Sequence, residues 1–508
     1  MNKLFKKAVI TSLAVLFLVA CEPIVDPTDS STFSSNTDPD IIRPTTGTEV
    51  VDFYAVNDFH GAILENGNEP GLAKMAAYLK EKKQINPEHT VLISSGDMWQ
   101  GSFEAYHSKG EVITEAMNNI GFDAMTIGNH EFDWGASYIL ENANKADFPF
   151  LGANIMKYPE WSEKSEVGVE YTILQKGALK IGVIGVIGQD QMTSICSRFV
   201  EDIYFSEQTP VIKSVANKLK RDHKVDIVIL SIHADQDDVD YSIASGNYVD
   251  AVFNAHTHQI EQQVVNGIPY IQGGAKGQYV SYISLKFDYA KNKVVSTLKH
   301  ENQSLVYKNI IADEEVSEII DQYKEASDEA GAVYVGKATD YLDRYGTLVN
   351  LANYAAAQKA EEQGYDIDFV FANSAREYID AGDIYYRDLF RGLPFDNAYY
   401  IVRAKGSDVL NQANRNYTYR VKDYGYINSN SYYTIAVLDY LILHQNIYKE
   451  YNYFSNYNPE TDYLGFLDDS SDEPIYPRDL VKELFIKAPN QTINPAVYTG
   501  DRYNSITI

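Results

Sequence analysis

The chain has almost no cysteine. Cys21 and Cys196 are the only two among 508 residues, so a disulfide framework is excluded as the source of its stability. Positive charge is also scarce, with 43 Lys and Arg against 71 Asp and Glu and a formal net charge of −28. Such a balance offers no long-range attraction to nucleic acid polymers or to anionic lipid, and neither is expected as a partner. There is no internal repeat. The apolar stretch Ala8 to Ala20 is too short to span a bilayer comfortably. What remains is an ordinary 45% hydrophobic content, as in soluble globular proteins. The length exceeds what one core can organise, so two domains are expected. Forty tyrosines are an excess that composition alone does not explain.

The N-terminus reads as an address. Lys3, Lys6 and Lys7 precede the apolar run, which ends in Leu18-Val19-Ala20-Cys21. This resembles a bacterial lipobox, in which Cys21 would be lipidated and become the first residue of the mature chain. Residues 1–21 are therefore expected as a lipoprotein signal peptide. The Ser/Thr/Asp/Pro-rich residues 22–48 are expected as a disordered tether. The protein would then be extracytoplasmic, anchored by lipid to the bacterial cell membrane and touching it through that anchor only. Cys196 would be left without a partner.

From residue 49 to 311 apolar runs of strand and helix type alternate. Strand-like runs are Val51–Val56, Thr90–Ile93, Ala124–Ile127, Lys180–Ile187, Asp226–Ile232 and Ala251–Asn254. Gly71–Lys83, Glu111–Ile120 and Pro210–Asp222 are helical between them. The alternation predicts an α/β sandwich with helices covering buried strands. Tyr279–Asp288 and Lys293–His300 predict a closing hairpin. Residues 312–330 read as a helical connector, and 331–508 as a second domain.

Five short motifs sit at the ends of the predicted strands: Asp58-Phe59-His60, Gly96-Asp97, Gly128-Asn129-His130-Glu131, Ser231-Ile232-His233 and Ala255-His256-Thr257-His258. Loops beyond strand carboxyl ends are where α/β folds gather ligands. Extended-chain alternation would put Asp58 with His60, and His256 with His258, on common sides. Adjacent Asn129 and His130 should diverge. The set offers oxygen and imidazole ligands for two divalent cations, with Asp97 the natural shared carboxylate, and such a pair suits phosphate-ester hydrolysis. Mixed Asp, Asn and His ligands suit zinc, manganese and similar ions alike. His89, His107, His223, His300 and His444 lack partners in these motifs and read as surface or packing residues.

The runs Asn57-Asp58-Phe59-His60-Gly61, Ser95-Gly96-Asp97 and Gly128-Asn129-His130-Glu131-Phe132-Asp133, followed by His233 and Asn254-Ala255-His256-Thr257-His258, resemble the calcineurin-like metallophosphoesterases, in particular their 5′-nucleotidase branch. The resemblance implies a four-layer α-β-β-α sandwich followed by an α+β substrate-binding domain. It implies one metal on Asp58, His60, Asp97 and His258, and a second on Asp97, Asn129, His233 and His256. His130, held by Asp133, would serve the transition state and leaving group. In the second half, Asn373-Ser374-Ala375-Arg376 and Leu393-Pro394-Phe395-Asp396-Asn397 are similar to that branch's C-terminal domain. There Arg376 would contact substrate phosphate and Phe395 would stack on the base. Tyr440 would be a second stacking aromatic and Arg344 another phosphate contact. The turn before Arg376 is two residues short of the family pattern, and Leu443-His444-Gln445-Asn446 replaces a glycine-rich segment. The implied activity is release of phosphate from extracellular nucleotides. Cyclic-nucleotide or nucleotide-sugar hydrolysis on the same scaffold stands as the alternative, and a non-catalytic binding lipoprotein is a more distant one.

Overall fold

In this computed structural model the described residues are 41–160, 162–235, 239–413, 417–442, 453–469 and 472–498, together with the backbone of Phe33–Ser34. Cys21, the signal segment and His444 lie outside them.

Two sheets face each other in the first domain. One has six strands, in the order Lys293–Ser304, Tyr279–Asp288, Thr48–Val56, Thr90–Ser94, Ala124–Thr126 and Phe150–Leu151. The other has seven and is centred on Leu179–Ile187, Ile227–His233 and Ala251–Ala255. Alternation along each strand assigns its two faces. Val51, Phe53 and Ala55 join Val91, Ile181, Val183 and Ile229 in the core between the sheets. Tyr54 and Val56 face outward, onto the helices Leu72–Ile85 and Glu111–Ile120. On the far side, Ile184, Val186, Val228 and Leu230 pack beneath the helix Gln208–Lys218 through Ile212, Val215 and Ala216. The result is the expected four-layer α-β-β-α sandwich.

The strands Thr48–Val56, Thr90–Ser94 and Ala124–Thr126 run parallel, as do Leu179–Ile187, Ile227–His233 and Ala251–Ala255. Their carboxyl ends therefore open onto one edge of the sandwich. The edge strand Ile260–Val265 and its inner neighbour Ile268–Gly273 were not anticipated. The polar alternation of the edge strand, Ile260-Glu261-Gln262-Gln263-Val264, carries too weak an apolar signal. The hairpin is present, with its second strand running on to Ser304.

The helix Glu314–Gly331 leaves this domain, N-capped by Asp313, whose side chain accepts from the Val316 amide. Val316, Ile319 and Ile320 bury into the first core. A second core follows, in which the helix Thr347–Glu362 lies on a five-stranded sheet containing Phe369–Ala372, Tyr432–Leu438 and Tyr399–Lys405. Among the described residues no helix is long and apolar enough to cross a membrane.

Candidate metal centre and cleft

Each cluster residue comes from a loop at that common edge, except His233, which is the last residue of its strand, and Asn129, which opens the short 3₁₀ helix Asn129–Phe132. The backbone achieves the gathering by kinks rather than by strand alternation. Asp58, His60, Asp97, His256 and His258 all have positive φ, between 48° and 81°, a region that non-glycine residues visit seldom. Asp58 and His60 do end in one group, by this different route, but the expected pairing of His256 with His258 is not found: His258 joins Asp58 and His60, and His256 joins Asp97 and His233. Glycines admit the close approach of two of these loops. A Cβ on Gly96 would meet the Gly128 nitrogen at 2.7 Å, and one on Gly128 would strike Asp97 Oδ1.

His258 Nε2 lies 2.9 Å from His60 Nε2 and 3.5 Å from Asp58 Oδ1. His256 Nδ1 and His233 Nε2 converge on Asn129 Oδ1 at 3.0 and 3.1 Å. Asp97 stands between the halves, with Oδ2 at 3.2 Å from His233 Nε2 and 4.0 Å from His60 Nε2. Three groups consequently hold their ligand atoms within 4.8 Å of one another: Asp58 with His60 and His258, His60 with Asp97 and His130, and Asp97 with His233 and His256. All seven residues singled out as ligands are brought together.

Neighbours orient them. His233 Nδ1 bonds the Ser95 carbonyl at 2.9 Å and His60 Nδ1 the Gln100 carbonyl at 3.0 Å, which leaves each Nε2 aimed inward. Asn57 donates to Asp58 Oδ2 at 2.7 Å. Glu131, wholly buried, accepts from the amides of Gly128 (2.7 Å), Asp97 and Met98 (both 2.8 Å). It staples the loop carrying Asp97 to the loop carrying Asn129 and His130. Its place beside Asn129 and His130 was legible, but nothing in the sequence marked it as a clamp.

The charges show what the cluster is suited to hold. Burial, with Asp97's charge adding to it, pushes the Asp58 carboxyl up, while His233 and Asn57 oppose. Burial drives His60 down to about 3, so it is neutral. For Asp97 burial acts upward, but the imidazoles of His233, His130 and His60 outweigh it and hold the carboxyl well below its usual range. Two buried carboxylates thus crowd a space ringed by imidazole nitrogens and an amide oxygen, a donor set that fits divalent zinc or manganese.

His130 is set apart from Asn129, as expected. Its Nδ1 bonds Asp133 Oδ2 at 2.7 Å, and its ring lines a cleft of about 520 Å³ with His60 and His258. Burial works to lower its pKa, but Asp133 and Asp97 prevail and hold it at about 9. Across the cleft the second domain contributes Phe395, whose ring lies 6.0 Å from that of His130 at an interplanar angle of 15°. The Arg376 guanidinium stands 5.5 Å above Phe395. Both residues line the cleft. Arg344 and Tyr440 do not. Arg344 donates to the Arg376 carbonyl at 3.2 Å and rests on the Tyr345 ring. Tyr440 is half-buried on the turn Asp439–Leu441. Outside the site, His89 bonds Glu49, His223 bonds the Tyr171 hydroxyl and His300 bonds the Tyr270 carbonyl; His107 packs near Phe103.

Comparison with known proteins agrees with this geometry. Residues 51–260 match the family model described as calcineurin-like phosphoesterase. Protein UshA of Yersinia enterocolitica is 28% identical over 407 residues, covering 70% of this chain and 74% of that protein. The 5′-nucleotidase of Bos taurus is 27% identical over 378 residues, covering 66% of this chain and 64% of its own length. The solved structure of a putative 5′-nucleotidase from Staphylococcus aureus superposes with a TM-score of 0.69, at 17% identity, over 87% of this chain and 98% of that one; at that identity the likeness is one of fold. The chain therefore carries a calcineurin-like metallophosphoesterase domain joined to a second, C-terminal domain, and it is a metal-dependent phosphoester hydrolase.

Proposed function

We propose that this hydrolase uses two divalent cations to remove phosphate from nucleotides outside the cytoplasm, in the manner of a 5′-nucleotidase. The observation that carries the reading is the position of Asp97, within ligand distance of both halves of the cluster. One cation would be held by Asp58, His60, Asp97 and His258, and the other by Asp97, Asn129, His233 and His256. Bound there, the pair supplies Lewis-acid charge for the phosphoryl oxygens and acidifies the attacking water.

The remaining steps belong to the chain's own groups. His130, its Nδ1 fixed by Asp133, offers Nε2 to the departing ester oxygen as a proton donor. Arg376 adds positive charge from the second domain, and Phe395 presents a face for a nucleobase. Arg344 supports Arg376 through its carbonyl, and Tyr440 is the second aromatic on that side. Residues 331–508 would then be the substrate-binding domain, reached through the 312–330 connector from the catalytic 49–311. The 5′-nucleotidase name of a relative supports nucleotide over other esters. The Leu18-to-Cys21 motif supports lipid anchoring at Cys21, and an anchored chain would carry its site on the outer side of the membrane. The acidic surface does not oppose an anionic substrate at contact range, because charges beyond about 8 Å are screened at physiological salt.

Metal analysis combined with hydrolysis of AMP, ADP, UDP-glucose and a cyclic nucleotide tests the proposal, read as free phosphate from AMP and ADP, as UMP and glucose 1-phosphate from UDP-glucose, and as the ring-opened monophosphate from the cyclic nucleotide. The expected result is bound divalent metal and turnover of a nucleotide, with Asp97→Asn losing both. Metal-loaded protein that hydrolyses none of these substrates refutes the nucleotide reading. Full activity in Asp97→Asn refutes the shared carboxylate.

A further inference from the structure

Arg478, in the first turn of the helix Pro477–Lys487, has no exposed surface. A buried guanidinium is tolerated only when its N–H groups are matched, and here they are. Nε donates to the Tyr386 hydroxyl at 3.2 Å. Nη1 faces three successive carbonyls, of Leu393 (3.5 Å), Pro394 (3.4 Å) and Phe395 (3.1 Å). Nη2 donates to the Tyr106 hydroxyl at 2.7 Å and pairs with the Asp396 carboxylate. Those carbonyls follow the helix Tyr386–Gly392, and Pro394 has no amide to anchor the segment itself.

The same segment is gripped from the opposite domain. Tyr106 belongs to the short helix Phe103–His107, next to cleft residues Gly101, Ser102 and Glu104. Lys109 Nζ lies 3.5 Å from Asp396 Oδ2 and 3.7 Å above the Tyr106 ring. Gln100, whose carbonyl holds His60, reaches toward the Pro394 carbonyl at 3.5 Å. Arg478 does not itself line the cleft. It sits behind the loop whose next surface is the Phe395 ring facing His130.

We infer that Arg478 is a positioning residue, fixing Phe395 against His130 and fastening the substrate-side wall to the catalytic wall through Tyr106; the inference rests on the nucleotidase reading above. A lysine keeps the charge for Asp396 but has no planar fork to serve three carbonyls and two hydroxyls together. Arg478→Lys therefore loosens the loop without removing a group from the cleft. Tyr106→Phe deletes one of the bonds from the other side and guards against a variant that fails to fold.

The test compares a nucleoside monophosphate with glycerol 2-phosphate, which has no ring to stack, in the full metal-loaded protein. Arg478→Lys is expected to raise KM for the nucleotide by about tenfold, the effect of losing charge-assisted hydrogen bonds. Its kcat on glycerol 2-phosphate should be unchanged, and amide exchange over residues 389–397 should quicken. Tyr106→Phe shifts the same quantities in the same direction by less. Unaltered nucleotide KM in Arg478→Lys overturns the inference alone, as does an equal loss of kcat on both substrates. Wild-type protein that hydrolyses glycerol 2-phosphate and no nucleotide overturns the nucleotidase reading, and this inference with it.

Discussion

Replacing Glu131 by glutamine changes one atom and tests whether the clamp between two metal-bearing loops is built on a carboxylate. Glu131 Oε2 accepts from both Gly128 and Asp97, and Oε1 from Met98. All three partners are donors. A glutamine can leave its oxygen on the Gly128 and Asp97 amides, but its NH2 group then faces the Met98 N–H, and that bond becomes a repulsion. Burial and the Asp97 charge push the Glu131 carboxyl up to about 7. Its hydrogen-bond partners, however, are three N–H donors, which only the carboxylate form serves in full, and hydrogen bonds to a charged acceptor contribute about 1.5–3 kcal/mol each. One bond lost and two reduced to neutral strength therefore cost roughly 3 kcal/mol, with little relief from water because the side chain has no exposed surface. In a domain of this size that lowers Tm by roughly 6–12 °C. Thermal unfolding and metal content measure the effect, and metal binding should weaken in parallel because Asp97 and His130 lose their common support. A Glu131→Gln protein with wild-type Tm and wild-type metal content would refute the argument.

Two further outcomes follow from the geometry. Phe395→Ala should raise KM for a nucleotide by about 5- to 150-fold, the equivalent of a stacked base at roughly 1–3 kcal/mol, and leave glycerol 2-phosphate hydrolysis alone; steady-state kinetics on both substrates decide it. Asp313→Ala removes the cap of the Glu314–Gly331 helix and should cost about 1 kcal/mol at neutral pH. Burial acts to raise the Asp313 pKa, but the Lys80 and Val316 bonds prevail and depress it below 3.8. The stabilisation is therefore complete above that ordinary value and is lost as pH falls through the depressed one. Denaturant midpoints should separate variant from wild type at neutral pH and converge in strong acid; a gap that persists there counts against the cap.

The sandwich and its ligand cluster were largely legible because both depend on local signals. Strand-length apolar runs alternate with turn-bound Asp, Asn and His residues, and burying parallel runs side by side brings those turns to one edge. What escaped was either weakly apolar or purely three-dimensional. The edge strand Ile260–Val265 has too few buried positions to announce itself. The kinked backbone at Asp58, His60, Asp97, His256 and His258 defeats any argument from strand alternation. Arg478 and Tyr106 are 372 residues apart, so no window of sequence could relate them. Arg344, similar in sequence to a phosphate contact, instead supports its neighbour's carbonyl.

Those kinks have a consequence for how the centre can change. A left-handed conformation is tolerable for aspartate, asparagine and histidine but hostile to valine, isoleucine or threonine. Exchanging Asp58 or His256 for a β-branched residue would therefore incur two penalties, one in lost coordination and one in backbone conformation. Drift toward an inert apolar pocket is closed at these positions, while asparagine and glycine remain sterically open. A descendant that abandoned hydrolysis should thus show small or polar replacements there rather than a refilled core.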